Sequence, residues 1–309
     1  MSRMLTVVDS NEQVFVAIIV TYEPTPTALK DLLDSVIPQV DAVVIIDNGS
    51  KEDVGRWIGE WVGDKATCLP LNSNLGIAAA QNVGISWAKA CKADYIVFFD
   101  QDSRPSPDMV ERLFDASVIK ESQGYQIAAV GPRYLDLRQD NPPPFIRVRG
   151  LRLQRLHCDN EDIVAVDYLI SSGSLISMKT LNVVGYMAEP FFIDYVDIEW
   201  GLRAKMCGFE SFGVCSATME HTLGETPIAF LGRRIPRHSP IRHYYLFRNA
   251  VYMYLWMTLP RNWKVVDGFR LVLRYFFYSL VTKPRFEHLA YMTKGIFDGL
   301  RGHMGKLEH

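Results

Sequence analysis

The first hundred residues alternate between continuous apolar runs and segments whose apolar positions recur at steps of three and four. Continuous runs rich in β-branched and aromatic residues predict buried strands, and the longer steps predict helices. The predicted strands are 14–20, 42–46, 67–71 and 94–99, and the predicted helices are 27–36 and 77–92. Buried strands that alternate with helices indicate an α/β fold, with a mainly parallel sheet flanked by helices.

The pattern is less regular beyond residue 105. We predict a helix at 108–121, strands at 127–130, 168–178 and 211–218, an exposed loop at 136–149, and a segment at 191–205 that begins as a strand and becomes helical. Three further helices are predicted at 243–258, 263–281 and 286–300. We therefore expect an α/β domain over residues 1–240 and a helical segment over 241–306, with 307–309 resembling the start of an expression tag.

Polar residues follow each of the first four predicted strands. They are Thr21-Tyr22-Glu23-Pro24, Asp47-Asn48-Gly49-Ser50, Asn72-Ser73-Asn74-Leu75-Gly76 and Asp100-Gln101-Asp102. Parallel sheets bind ligands beyond the carboxyl ends of their strands, so we expect the functional site at this edge.

Asp100 and Asp102 are the strongest metal-binding candidates in the sequence. Two carboxylates this close repel each other unless they share a cation, and Mg²⁺ or Mn²⁺ prefers such oxygen ligands. A D-x-D triplet is common in exposed turns, but its place directly after an apolar strand favours a metal site.

Residues 191–203 hold a second acidic group. If a helix begins near Asp197, then Glu199 and Arg203 are four residues apart and can pair on one face. Asp197 would lie at the helix N-terminus, where it either caps the helix or acts as a general base toward a hydroxyl group. The residues alone favour the cap.

His221 and a cluster of basic and aromatic residues are further candidates. His221 follows the strand predicted at 211–218 and is either structural or part of a metal or diphosphate site. Arg242, Tyr245 and Arg248 are spaced three residues apart on a predicted helix, so they share one side. Arginines so placed suit phosphate or a polyhydroxyl acceptor; the alternative, salt bridges along the helix, finds few acids nearby.

The net charge of −2 conceals a strong asymmetry along the chain. Residues 226–306 hold 14 Lys and Arg against three acids, which suits an anionic partner. In the helix predicted at 263–281, an apolar stripe that includes Phe269, Phe276 and Leu280 either packs on the α/β domain or lies on an anionic membrane surface. No stretch has the ~20 consecutive apolar residues of a membrane span, so any membrane contact is expected to be peripheral.

Several function classes are disfavoured. The sequence has no P-loop, no G-x-G-x-x-G after the first strand, no G-x-S-x-G and no H-E-x-x-H, which argues against P-loop kinases, dinucleotide dehydrogenases, α/β-hydrolases and zincin proteases. Five cysteines without a C-x-x-C pair argue against a zinc ribbon or a disulfide scaffold and predict a reducing, cytoplasmic compartment. No nucleic-acid partner is expected.

The ordered motifs of residues 14–250 resemble glycosyltransferase family 2. They are VTYEP (20–24), DNGS (47–50), NLGIAAAQN (74–82), FFDQDSRP (98–105), ISSGSLIS (170–177), FFIDYVDIEWGLRA (191–204), EHTLG (220–224) and RHYYLFRN (242–249). Within the family, DQDSRP, LISSG, FIDYVDIEW and YYLFRN are most similar to bacterial rhamnosyltransferases that use dTDP-L-rhamnose. The resemblance implies a GT-A fold and inversion at the anomeric carbon.

The resemblance also implies a role for each matching residue. The residues implied to hold the thymidine diphosphate donor are Thr21, Tyr22, Asp47, Asn48, Gly76, Gln81, Asp100 and Arg248. Asp102 and His221 would hold Mg²⁺ or Mn²⁺, and Asp197 falls at the general-base position of the family's E-D-x-D-L-x-x-R segment. The residues implied to support the base or face the acceptor are Glu199, Arg203, Arg242 and Tyr245. Val196, Glu199 and Trp200 depart from that segment, whereas Arg203 matches it.

The implied reaction moves L-rhamnose from dTDP-L-rhamnose onto a hydroxyl of a glycan or glycolipid acceptor in cell-surface polysaccharide synthesis. Lipid-linked acceptors imply peripheral contact with the inner face of the cell membrane. The alternatives are a family 2 enzyme with another nucleotide sugar, a sugar-phosphate nucleotidyltransferase, and a non-catalytic module that binds nucleotide sugars or glycans. A nucleotidyltransferase would need a Gly- and Arg-rich loop after the first strand, where this chain has Thr21-Tyr22-Glu23-Pro24.

Overall fold

A computed structural model describes residues 13–135, 144–158, 162–220, 225–230 and 233–308. In its first part, strands alternate with helices. The elements are β1 (Phe15–Thr21), α1 (Pro26–Val36), β2 (Ala42–Asp47), α2 (Val54–Val62), β3 (Ala66–Pro70), α3 (Ile77–Ala90) and β4 (Tyr95–Asp100). The four strands are parallel in the order β3-β2-β1-β4, which confirms the predicted parallel sheet.

The second part of the chain extends this sheet with mixed pairing. Its elements are β5 (Arg104–Pro105), α4 (Met109–Ser122), β6 (Ile127–Leu135), β7 (Phe145–Arg149), β8 (Arg152–Leu156), β9 (Ile163–Val166), β10 (Leu175–Ser177), α5 (Met178–Val184), α6 (Val196–Met206), β11 (Glu210–Glu220), β12 (Glu225–Phe230) and β13 (Arg233–Arg237). The full order is β3-β2-β1-β4-β10-β6-β11-β5, with β9 on β11. β10 runs antiparallel to β4 and β6, whereas β6 and β11 are parallel.

Three sequence predictions are wrong in this second part. Residues 145–149 form strand β7, which pairs with β8 in a hairpin, where an exposed loop was predicted; residues 136–143 of that loop lie outside the described residues. The strand predicted at 168–178 is reduced to three residues, because Ser177 caps a helix that begins at Met178. The start of segment 191–205 is not a strand but follows a 3-10 turn over Glu189–Phe191.

The three C-terminal helices are α7 (Pro240–Trp256), α8 (Arg261–Val281) and α9 (Arg285–Arg301), close to their predicted bounds. A Cβ on Gly299 would lie only 2.6 Å from the carbonyl oxygen of Arg248, so this glycine lets α9 approach α7 closely. Phe247 and Met292 belong to the same hydrophobic cluster as Val16 of the sheet. None of the described helices is long and apolar enough to cross a bilayer.

Cys158 and Cys215 form a disulfide, although reduced cysteines were predicted. The pairing of β11 with the strand after Cys158 brings the two residues together, although they lie 57 positions apart in the sequence. No local spacing pattern reveals such a pair. Cys68, Cys91 and Cys207 are free thiols.

Candidate active site

The ends of β1 and β2 form the first part of the site. Thr21 and Asp47 are paired in register, and the Thr21 hydroxyl donates to Asp47 Oδ1 at 3.0 Å. The backbone N–H of Ser50 donates to the other carboxylate oxygen of Asp47 at 3.2 Å. Asp47 is buried, and these bonds fix its orientation. Tyr22 presents an exposed side chain, while its backbone N–H donates to Gln101 Oε1 at 2.8 Å and so ties β1 to the D-x-D turn.

Two asparagines connect this edge to the start of α3. Asn48 Oδ1 accepts a hydrogen bond from Leu75 N, and Asn74 Oδ1 accepts one from Gly76 N, both at 2.9 Å. Gly76 has a φ of +90°, and a Cβ there would lie 2.6 Å from the Phe192 carbonyl oxygen. Glycine is therefore required here on both counts. We call Thr21, Asp47, Asn48, Asn74 and Gly76 the strand-end cluster.

Gln81 lies in the second turn of α3 and is 2% exposed. Its side-chain oxygen is buried and has no hydrogen-bond partner among the described residues. A buried acceptor without a partner is costly, and a ligand group that donates to it would remove that cost. Gln81 Oε1 is therefore an unused hydrogen-bond acceptor of the kind that a bound nucleotide sugar could occupy.

The D-x-D turn follows β4 and is supported by a neighbouring serine. Asp100 is half-buried, Asp102 is exposed, and the Asp100 N–H donates to Ser172 Oγ at 3.0 Å. The Ser172 and Ser103 hydroxyls are 2.7 Å apart. Ser172 precedes β10 and was not predicted as a site residue. Its signal in the sequence was the Ser-Ser-Gly-Ser interruption of an apolar run.

Asp197 is the second residue of α6, as predicted, but it does not cap the helix. The N-cap is Tyr195, in the left-handed conformation, and Asp197 Oδ1 accepts from Ile198 N at 2.8 Å. Burial, together with the carboxylates of Asp194 and Asp100, raises the pKa of the Asp197 carboxyl to about 6. Asp100 and Asp197 are therefore close enough to interact electrostatically, which places the D-x-D turn and the start of α6 at one site.

Arg242 pairs with Asp194 beside this site. Its Nη2 and Nε donate to Asp194 Oδ1 at 3.1 and 3.2 Å. Burial lowers the pKa of the Arg242 guanidinium, but the carboxylate of Asp194, with those of Asp100 and Asp197, raises it above its ordinary value. Asp194, which was not among the predicted site residues, thus interacts with two other carboxylates, Asp100 and Asp197, and with the Arg242 guanidinium.

Residues 190–197, which we call the base loop, are anchored from α7. Phe192, Asp194 and Tyr195 all have φ between 63° and 65°, which L-residues rarely adopt and which persists only when the surroundings enforce it. Asn249 Nδ2 lies 2.8 to 3.0 Å from the carbonyl oxygens of Phe191, Ile193 and Asp194. This role of Asn249 was not predicted from the sequence.

Two of the implied site residues contact the base loop: Arg248 departs from its implied place on the diphosphate, whereas Tyr245 supports the loop that leads to Asp197. Arg248 is 1% exposed, and its guanidinium donates to the carbonyls of Phe191, Pro190 and Gly305, so it binds the chain's own backbone and not a diphosphate. Tyr245 is also buried; its ring stacks on Phe192 at 5.0 Å, and its hydroxyl accepts from Leu307 N at 2.9 Å.

Glu199 and Arg203 form the predicted i, i+4 pair, with distances of 2.7 and 2.9 Å. Glu199 is fully buried, and Arg203 also donates to the carbonyls of Val184 and Tyr186. The pair therefore fastens α6, the helix that carries Asp197, to the end of α5. Glu199 stands where the family's segment has an aspartate, and it still forms the ion pair with Arg203.

A third anchor reaches the base loop from α8. The hydroxyls of Tyr195 and Tyr254 each donate to Asp267 Oδ2 at 2.7 Å. Burial, followed by the Asp267 carboxylate, raises the pKa of Tyr195 well above its ordinary value, so this hydroxyl stays a donor. Asp267 thereby holds the N-cap residue of α6, two positions before Asp197.

Asp100 and Asp102 offer carboxylate oxygens of the kind that Mg²⁺ and Mn²⁺ prefer. Within the described ranges, no three His, Cys, Asp or Glu side chains are clustered tightly enough to hold a metal by themselves. His221, the other predicted metal ligand, lies outside the described residues. The two carboxylates fit a divalent ion whose remaining ligands come from a diphosphate, as is common for Mg²⁺.

Comparisons with known proteins identify the family of this chain. A family model for glycosyl transferase family 2 matches residues 16–169. The dTDP-rhamnosyl transferase RfbF of Shigella flexneri is 31% identical over 295 residues, which cover 94% of this chain and 96% of that protein. Galactofuranosyltransferase GlfT1 of Mycolicibacterium smegmatis is 25% identical over 295 residues, which cover 89% of this chain and 92% of that one.

Solved structures show the same fold. S. aureus TarS 1–349 in complex with UDP-GlcNAc has a TM-score of 0.60 and 16% identity, over 94% of this chain and 81% of that one. GalNAc-T7 with UDP, GalNAc and Mn²⁺ has a TM-score of 0.61 and 14% identity, over 95% of this chain and 57% of that one. The TM-scores establish a GT-A-like fold. The RfbF match establishes the family and the enzyme class. This chain is a glycosyltransferase and belongs to glycosyltransferase family 2.

Proposed function

We propose that the protein is an inverting rhamnosyltransferase, which moves L-rhamnose from dTDP-L-rhamnose onto a hydroxyl of a glycan or lipid-linked acceptor. The observation that supports catalysis is the buried carboxyl of Asp197 at the start of α6, whose pKa burial and the carboxylates of Asp194 and Asp100 raise to about 6. The similarity to the S. flexneri dTDP-rhamnosyl transferase supports the choice of donor.

The donor would lie along the strand-end cluster, with Gln81 accepting a hydrogen bond from it. Asp102, with Asp100 and the proposed ligand His221, would hold Mg²⁺ or Mn²⁺ on the diphosphate. When bound, that ion supplies positive charge that stabilises the departing dTDP. The role proposed for these side chains is to fix the sugar with its anomeric carbon facing Asp197.

Asp197 would act as the general base. The acceptor oxygen attacks the anomeric carbon on the face opposite the diphosphate, the bond from that carbon to the dTDP oxygen breaks, and the hydroxyl proton moves to the Asp197 carboxylate. A pKa near 6 leaves this carboxylate ionised at neutral pH while keeping it a stronger base than an exposed aspartate. Inversion follows from this single displacement, which needs no nucleophile from the protein.

The test uses purified full-length protein, dTDP-L-rhamnose and an acceptor extract, with release of dTDP as the readout. We expect release that depends on Mg²⁺ or Mn²⁺, and we expect Asp197→Asn to reduce kcat by about 10²–10⁴-fold while donor affinity is retained. Glu60→Gln, a matched loss of a carboxylate on the exposed face of α2, is the control. Normal turnover by Asp197→Asn would contradict the assignment of the base.

A donor panel separates the alternatives. Thermal shift and turnover are measured with dTDP-L-rhamnose, UDP-GlcNAc and other nucleotide sugars. A larger shift and faster turnover with a different sugar would replace the rhamnosyl assignment while keeping the transferase. Binding without turnover of any donor, unchanged in Asp197→Asn, would support a non-catalytic binding module.

A further inference from the structure

Helix α8 exposes a stripe of large apolar side chains. Six residues of the helix form it, and each is more than half exposed: Val265 (57%), Phe269 (66%), Val272 (54%), Leu273 (54%), Phe276 (60%) and Leu280 (67%). The residues that attach α8 to the protein lie elsewhere on the helix and include the buried Trp263, Leu271 and Tyr278. The stripe is therefore not core packing, one of the two explanations that the sequence left open.

The six positions form one continuous surface. At 100° per residue they fall within an arc of about 100°, which is the width of a single amphipathic face. Phe286, at the start of α9, is 88% exposed and lies six residues beyond Leu280, across the turn that joins the two helices. Large apolar side chains gathered on one exposed face mark an interaction site, whereas scattered ones do not.

The charges around the stripe are mostly positive. Arg261 at the start of α8, and Lys283 and Arg285 after its end, are exposed. Of the three acids in α8 and α9, Asp267 is buried and bonded to two tyrosines, and Asp298 is buried and paired with Lys294. The third, Glu287, is exposed next to Phe286, where the exposed Lys283 and Arg285 outnumber it. The surface thus combines an apolar centre with basic ends, and its complement is apolar and anionic.

We propose that the α8 stripe, with Phe286, is a docking surface for an anionic lipid bilayer, in which the helix lies along the interface. An amphipathic helix with basic flanks binds such surfaces through buried apolar area and attraction to anionic headgroups. A second copy of the chain fits less well. Whether two α8 helices pair parallel or antiparallel, basic ends face basic ends across the contact.

The opposite face of α8 connects this surface to the catalytic site. Asp267 accepts the hydrogen bond from Tyr195, the N-cap of α6, which lies two residues before Asp197. Docking through the stripe would therefore hold the base loop near the membrane surface, where the head group of a lipid-linked acceptor is found. The docking proposal itself is independent of which sugar is transferred.

Vesicle flotation with the full-length protein tests the proposal. Wild type should float with vesicles that contain phosphatidylglycerol, float weakly with pure phosphatidylcholine, and be released as salt is raised. Phe269→Ser with Phe276→Ser should lower the partition coefficient at least about tenfold. The control, Val118→Ser with Ile119→Ser, removes two comparably exposed apolar side chains from α4 and should bind as wild type does.

Two further measurements keep the outcomes distinct. Turnover of a water-soluble acceptor and thermal unfolding should be unchanged in the Phe269/Phe276 variant, which separates failure of docking from failure of folding or of the proposed transferase. Sedimentation velocity without lipid measures self-association. Equal flotation of the variant and wild type would overturn the proposal. So would a wild-type dimer that the substitutions abolish, if neither protein binds lipid.

Discussion

The strand-end cluster and the base loop form two sides of one site, but they are stabilised by contacts of different range. In the strand-end cluster, Thr21 bonds to Asp47 and Asn48 bonds to Leu75, each within neighbouring βα units. The base loop is held by Arg248 and Asn249, which lie 55 to 58 residues later in the chain. The strand-end cluster is thus held by hydrogen bonds between neighbouring βα units, whereas the base loop depends on the C-terminal helices.

This difference predicts separate kinetic effects of two matched asparagine substitutions. Asn249→Ala removes the donor to three base-loop carbonyls, which we expect to lower kcat about 10²-fold because Asp197 loses its position. Donor affinity should change little. Asn48→Ala, which removes the bond to the Leu75 N–H, should instead raise the KM for the donor with a smaller change in kcat.

Turnover and donor titration of both variants check this prediction. Asn249→Ala should also unfold more easily, by about 1–3 kcal/mol, because buried carbonyls lose their partner. Retained donor binding would show that the variant is folded. If both variants changed kcat and KM in the same proportion, the two sides would not be separable, and the comparison would fail.

A second prediction concerns Asp267, the more distant anchor. Asp267→Asn replaces the charged acceptor of the Tyr195 and Tyr254 hydroxyls with a neutral amide, which weakens both hydrogen bonds, so the start of α6 should become less fixed. We expect kcat to fall about tenfold while donor affinity is retained. Lys294→Met, which breaks the pair with Asp298 on α9 instead, is the control and should leave kcat unchanged. An unchanged kcat in Asp267→Asn would show that α8 does not position the base.

The same contrast explains which features could be predicted from the sequence. Thr21, Asp47 and Asp100 could be located because each follows an apolar run, and the strand ends of a parallel sheet must meet. The pairing of Glu199 with Arg203 followed from helical spacing. Spacing also placed Arg248 and Tyr245 on one helix face, but it could not show that the base loop and residues 305–307 cover that face. Asn249 and Asp267 had no local pattern at all.

The pH dependence of catalysis provides a third prediction. Because the base must be ionised, kcat/KM should fall below pH about 6 as Asp197 gains its proton. Asp194→Asn removes a carboxylate that raises this pKa and releases Arg242 from its partner. The acid limb of the kcat/KM profile should therefore move to lower pH. The measurement is kcat/KM against pH for both proteins. A limb at the same pH in the variant would show that Asp194 does not influence the base.

The last prediction concerns stability and not catalysis, through a buried histidine pair that joins α7 to α9. His243 Nδ1 and His288 Nδ1 are 2.9 Å apart, and burial, with His288, lowers the pKa of His243 from 6.5 to about 3. The unfolded chain therefore binds a proton that the folded chain excludes, so His243 reduces stability as pH falls from 6.5 towards 3, at up to about 1.4 kcal/mol per pH unit. Above pH 6.5 this loss is absent.

His243→Phe should weaken this acid sensitivity, because it removes the group whose protonation favours unfolding. The free energy of unfolding, measured by urea titration across that pH window, should fall less steeply in the variant than in wild type. His303→Gln, which changes a histidine outside the buried pair, should leave the slope unaltered. Parallel slopes for wild type and His243→Phe would mean that the pair takes up its proton without unfolding. The contact between α7 and α9, and with it the anchoring of the base loop, would then tolerate a charge in its centre.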